Sequence, residues 1–93
     1  MEFLVQIQLN FPPDLPADQL AAVVEKEAVR GRELQEAGTI TRIWRIPGRT
    51  ANVGIWAGAD ADEVHRAITS LPAFPWMDAR VTALATHPLE ARS

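Results

Sequence analysis

The chain contains no cysteine. Disulfide staples, thiol nucleophiles and cysteine-bound metals are therefore excluded. Basic excess is missing too. Nine Lys and Arg stand against twelve Asp and Glu, a formal net charge of -3. That balance gives no footprint for nucleic acid and no polybasic patch for an anionic membrane. No apolar run approaches the ~20 residues of a membrane span. The opening "MEFLVQIQLN" carries an acid at position 2 and no long apolar core. It does not read as a signal peptide, so a cytoplasmic protein is the expectation. The five glycines are scattered, and no glycine-rich phosphate loop exists. No Ser sits in a nucleophile elbow. His65 and His87 lie far apart in sequence and form no ligand spacing, so no metal site is expected.

What remains is an ordinary globular composition, 47% hydrophobic and 23% charged over 93 residues. That length supports a single domain, 1–93, with one core and a thin stability margin, which makes self-association a reasonable expectation. "FLVQIQL" alternates, with Phe3, Val5, Ile7 and Leu9 on one face, and reads as a strand. Pro12, Pro13 and Pro16 forbid regular structure and release the chain into a helix near residue 16 or 17. That helix should run to about residue 37 and stop at Gly38. "TITRIWRIP" and "ANVGIWAG" are β-rich, and "PGRT" joins them as a hairpin turn. "DADEVHRAITSL" places Asp60 and Glu63 at capping-box spacing, ahead of Val64, Ile68 and Leu71 at helical spacing. "PAFPW" breaks that helix, "ARVTALAT" is a last strand, and 87–93 is a tail. The order strand, helix, strand, strand, helix, strand is the ferredoxin-like βαββαβ pattern, an α+β fold with both helices on one face of an antiparallel sheet. The other face is left to be buried. Trp44, Trp56, Trp76 and Phe74 suit an interface.

The first helix carries an anomaly. Leu20, Val23, Val24, Gly31 and Leu34 fall on one stripe, and Glu27 lands within roughly 20° of Leu20 in its middle. An inward acid one turn before an inward Gly31 looks like the wall of a pocket. The competing reading is a structural carboxylate paired with Arg45 or Arg49.

At "RIWRIPGRTANVGIW" and "LPAFPWMDARVTALATHP" the chain resembles the muconolactone isomerase family, and the resemblance runs end to end. Its marks are Glu27, Leu34 to Gly38, Trp44-Arg45-Ile46, Gly48, Ala51-Asn52, His65, Leu71-Pro72, Phe74-Pro75, Met77-Asp78 and His87-Pro88. The resemblance implies a ferredoxin-like fold, a ring-like homo-oligomer (a decamer in the family) and active sites near subunit boundaries. It also implies cofactor-free isomerisation of muconolactone to the 3-oxoadipate enol-lactone, in aromatic catabolism. Thr50, Gly54, Trp56 and Ala28 depart from the family's pattern, which has an aromatic, a small hydroxyl residue, Phe and Lys there.

That reaction needs a proton taken from a carbon next to a lactone carbonyl and returned two carbons away. One carboxylate serves as base and then acid when burial raises its pKa. Glu27 fits this role. Arg45 and Arg49 are candidates for the substrate's carboxylate, against surface or intersubunit ion pairs. Asn52 is a candidate donor to the lactone carbonyl, against a local backbone contact. Gly31, His65, Phe74 and Trp76 are candidates for the pocket wall or rim. Strand parity leaves open which of Arg42 with Trp44, or Thr41 with Arg45, faces the helices. Two further readings share this fold: a non-catalytic ligand-binding or assembly module, and a cofactor-free monooxygenase of the dimeric α/β-barrel type.

Overall fold

A computed structural model describes residues 1–91. The elements are β1 (Glu2–Leu9), α1 (Ala17–Glu36), β2 (Ile40–Arg45), β3 (Ala51–Ala57), α2 (Ala61–Thr69) and β4 (Met77–Leu84). Short 3-10 turns occupy Phe74–Trp76 and Pro88–Ala91. The strands form one antiparallel sheet in the order β2-β3-β1-β4. This is the ferredoxin-like arrangement expected from the sequence. The last strand begins two residues earlier than its β-branched run suggests, because Leu9 pairs with Met77. The final two residues of the 87–93 tail lie outside the described residues.

β1 organises the sheet, paired with β3 on one side and β4 on the other. Its alternation sends Phe3, Val5 and Ile7 to one face, where all three are buried. Trp56, Ile40, Leu34 of α1, and Val64 and Ile68 of α2 complete that core. Both helices therefore cover the same face. Trp56 is the largest side chain in it, 1% exposed. Burial of such a ring stabilises the fold by about 2–3 kcal/mol.

The turns follow local chemistry. Gly38 sits at φ +81 beyond α1, where its N–H bonds Gln35 O and the Thr39 N–H bonds Leu34 O. Those two bonds make a Schellman stop, which glycine enters without a Cβ clash. Pro47 and Gly48 (φ +77) turn the hairpin, closed by Arg49 N–H to Ile46 O at 3.3 Å. Pro at the second position and a positive-φ Gly at the third define a type II turn. At α2, Asp60 Oδ1 accepts the Glu63 N–H at 2.9 Å. Glu63 reaches back to the Ala59 N–H rather than to that of the cap residue itself.

β2 carries an irregularity that sets which of its side chains face the helices. Ile40 pairs with Trp56, yet Arg42 pairs with Ile55, so Thr41 is an extra residue. Its hydroxyl donates to Ile55 O at 2.9 Å. Beyond the bulge, Ile43 pairs with Gly54 and Arg45 with Asn52. Ile43 and Arg45 therefore share the helix-covered face with Asn52, while Arg42 and Trp44 face the open side, the guanidinium lying 4.7 Å from the Trp44 ring centroid. The bulge also brings backbone close to Gly54. A Cβ there would meet the Arg42 carbonyl oxygen at 2.5 Å. Gly54→Ala should thus lower the unfolding free energy by about 1–3 kcal/mol, read from urea denaturation, since rigid backbone must move to admit one methyl.

Candidate functional site

α1 is anchored at one end only. Leu34 is its buried residue. Toward the N-terminus, Leu20, Val23, Glu27 and Gly31 are half-buried, and Val24 is 52% exposed. A Cβ built on Gly31 meets nothing within 4 Å. The inward gap expected there is open space.

Glu27 is turned inward across from the segment that follows α2. Its Oε1 accepts the main-chain N–H of Ala73 at 2.9 Å. Burial pushes its carboxyl above the usual 4.5, and the Ala73 N–H pulls it back part of the way. Neither Arg45 nor Arg49 pairs with it; the single side-chain ion pair among the described residues is Arg30–Glu33 at 3.2 Å. Arg30 also donates to Ser70 Oγ at 3.0 Å, which fastens α1 to the end of α2.

The Ala73 amide is held by its own turn. Phe74 N–H bonds Leu71 O, and Trp76 N–H bonds Ala73 O. Asn10 N–H bonds Trp76 O, and the Trp76 ring lies 5.5 Å from that of Phe11. Phe74 is exposed and Trp76 half-buried. Sequence reasoning singled out these two aromatics and passed over Ala73, whose side chain carries no chemistry.

Arg45 and Asn52, cross-strand partners, line a cavity of about 320 Å³ together with Leu9, Ile43, Trp44, Thr50 and Ala51. Asn52 Oδ1 is buried without a hydrogen-bond partner among the described residues. A half-turn of that amide would exchange its oxygen and NH2, so either group can occupy the buried position. Arg49 lines a different cavity of about 300 Å³, on the open face, with Gln6, Gln8, Asp78 and Arg80. Within one chain, then, Arg45 and Asn52 come together and Arg49 stands apart. His65 is exposed on α2 and lines a third cavity with Phe3, Ile68, Val81 and Ala83. No cluster of metal-ligating side chains occurs among the described residues.

The geometry thus offers a half-buried carboxyl with raised proton affinity on α1 and, at the exposed end of the β2–β3 hairpin, a guanidinium beside an amide whose oxygen has no partner among the described residues. Glu27 does not line the Arg45–Asn52 cavity; taken separately, the carboxyl can exchange a proton and the guanidinium can hold a small anion.

Comparison with known proteins gives concordant matches. Residues 1–90 match the family described as muconolactone delta-isomerase. The muconolactone delta-isomerase of Cupriavidus pinatubonensis is 36% identical over 92 residues, 99% of this chain and 100% of its own. That of Acinetobacter baylyi is 34% identical over 92 residues, 99% and 96% of the two chains. A crystal structure of muconolactone isomerase at 3.3 Å superimposes with a TM-score of 0.92 at 30% identity, covering 100% of this chain and 97% of that one.

The raised carboxyl has a consequence for stability. A group whose pKa is higher folded than unfolded favours folding when protonated, and that contribution is lost as pH rises through the folded value. Glu27→Gln, which keeps an acceptor for Ala73 and removes the charge, should therefore melt higher than the parent at pH 7. The gap should close below pH ~4.5, where both side chains are neutral. Glu27→Ala strands the buried Ala73 N–H and should be destabilised by about 1–3 kcal/mol. Thermal melts of the three proteins from pH 4 to 8 test both expectations.

Proposed function

The chain belongs to the muconolactone delta-isomerase family, and on that premise we propose that it shifts the C=C bond of muconolactone, or of a closely related unsaturated lactone, by proton transfer through Glu27. The product from muconolactone is the 3-oxoadipate enol-lactone, an intermediate step of aromatic catabolism. The observation that carries the assignment of the base is the environment of Glu27: a carboxyl half-buried beneath α1, raised in pKa by that burial, and free of any cationic partner among the described residues.

The reaction divides among three side chains. Glu27, ionised, takes the proton from the carbon beside the lactone carbonyl and becomes a carboxylic acid. The electron pair moves into a dienolate. The acid then returns the proton two carbons away, which restores the base and moves the double bond. The Asn52 amide, buried and unpartnered at Oδ1, donates from its NH2 to the oxygen that gains charge between the two transfers. Arg45, its cross-strand neighbour, binds the free carboxylate of the substrate with its planar fork. The steps conserve protons and electrons, so this proposal calls on no metal or organic cofactor.

The unit is the single domain 1–93, working in the cytoplasm as a ring-like homo-oligomer, a decamer in this reading. Support for assembly comes from the sheet. Leu4, Val53 and Ile55 point to the face that neither helix covers, and Trp44 is 46% exposed on it. The Arg49 cavity opens on that same face.

Ultraviolet absorbance after adding muconolactone tests the function. The parent protein should turn it over, and Glu27→Gln should lower kcat by about 10²–10⁴-fold with KM little changed. Arg45→Ala should raise KM by roughly ten- to a hundredfold, the range expected for losing a charged hydrogen-bonded contact. Absence of turnover by the parent, with the fold intact, would overturn the isomerase assignment in favour of a binding module. In sedimentation, Ile55→Glu should reduce the parent oligomer to smaller species, because it buries a charge wherever that face is covered.

A further inference from the structure

The carboxyl of Glu27 has two oxygens, and their surroundings differ. Oε1 accepts the Ala73 N–H at 2.9 Å. Oε2 takes no hydrogen bond among the described residues. The donor is not a surface amide. Ala73 is 0% exposed, and its orientation is set from both sides of the chain. Leu71 O accepts the Phe74 N–H at 3.0 Å, Ala73 O accepts the Trp76 N–H at 3.0 Å, and Trp76 O accepts the Asn10 N–H at 2.8 Å. Ala73 lies at φ -82, ψ 1, the third position of a turn that Pro72 opens. A rigid turn therefore presents one N–H to one oxygen of a side chain 46 residues away in sequence.

We propose that the main-chain N–H of Ala73 is the positioning group of the proposed base: it occupies Oε1, fixes the carboxyl plane, and leaves Oε2 as the oxygen that takes the proton from the substrate carbon and gives it back. The proposal rests on the reading of Glu27 as the base. In the first transfer the C–H bond breaks, its proton joins Oε2 and its electron pair enters the dienolate. In the second the Oε2–H bond breaks and a new C–H bond forms. Oε1 stays bonded to Ala73 throughout, so one carboxyl serves both transfers without turning.

The same N–H also sets proton affinity. It favours the ionised carboxyl and opposes burial. Of the charged groups on the surrounding elements, Arg30 is engaged by Glu33 and Ser70. Lys26 on α1, His65 and Arg66 on α2, and Arg42, Arg45 and Arg49 from the hairpin make no ion pair with Glu27. Asp78 and Arg80 of β4 lie on the open face. The turn itself, residues 71–76, carries no titratable side chain. The Ala73 amide is thus the one hydrogen-bonding group among the described residues that tunes Glu27.

A chain of 93 residues is within reach of chemical ligation, which permits replacement of the Ala73 amide by an ester with lactate in place of alanine. That change deletes one N–H and keeps the side chain. The ester protein should lose about tenfold in kcat with KM unchanged, as expected for a base held less firmly. The acid limb of its pH–rate profile should move up by roughly one unit, because the lost donor had favoured the ionised form. Carbon-13 label at the Glu27 carboxyl, titrated by NMR without substrate, should move up by the same amount. An ester protein with the parent's kcat, pH profile and carboxyl titration, alongside an inactive Glu27→Gln, would overturn the role of Ala73 and leave the base in place. Full turnover by Glu27→Gln would remove the base itself, and this proposal with it.

Discussion

A buried backbone N–H must find an acceptor, and at Ala73 that requirement is met by a side chain from the other helix. This contact ties the middle of α1 to the chain leaving α2. α1 reaches the core firmly only through Leu34. Farther up, its links are Glu27 to Ala73 and Arg30 to Ser70, both directed at the chain leaving α2. Apolar packing that would otherwise hold this part of the helix is thin, since Val24 and Val29 are exposed and Gly31 contributes no side chain. A polar tether and the unfilled position at Gly31 leave this part of α1 less tightly sealed than its Leu34 end.

The tether and the chemistry compete. Leaving Glu27 partly out of water raises its proton affinity, which costs stability at neutral pH and suits the proposed role of taking and giving a proton. A fully solvated acid would be a weak base, and an acid paired with Arg45 would be weaker still. The structure avoids the second outcome by turning Glu27 toward a neutral amide. The charge on Arg45 is left to the sheet, where its register partner is the uncharged Asn52. The guanidinium of Arg45 is thus left without a carboxylate partner among the described residues.

Most of the fold was legible because its signals are local. Alternation in β1, the prolines before α1, Gly38 after it, the Pro47-Gly48 turn and the Asp60 cap each act within a few residues, and each behaves as its chemistry requires. The inward direction of Glu27 was legible too, since helical phase alone sets it. Its partner was not. Ala73 meets it across 46 residues through a backbone atom, and no side-chain pattern encodes that. The start of β4 was misjudged by two residues because Met77 and Asp78 owe their strand conformation to pairing with β1, not to their own propensity.

The parity of Arg45 was unreadable for a more instructive reason. A regular β2 would place Arg42 and Trp44 on the same face as Ile40, and Arg45 on the open side. The extra residue at Thr41 reverses this, so Arg45 and Ile43 join Ile40 on the helix-covered face. The reversal has a steric condition. The bulged backbone brings the Arg42 carbonyl to where a Cβ at position 54 would stand, and glycine is what position 54 holds. The absence of a side chain at Gly54 and the presence of a guanidinium beside Asn52 are therefore one structural fact. Gly54 has no side chain with which to touch a ligand, yet it permits the bulge that turns Arg45 to the helix-covered face. Neither Gly54 nor Ala73 carries a chemical side chain, although one admits the proposed binding group and the other aligns the proposed base.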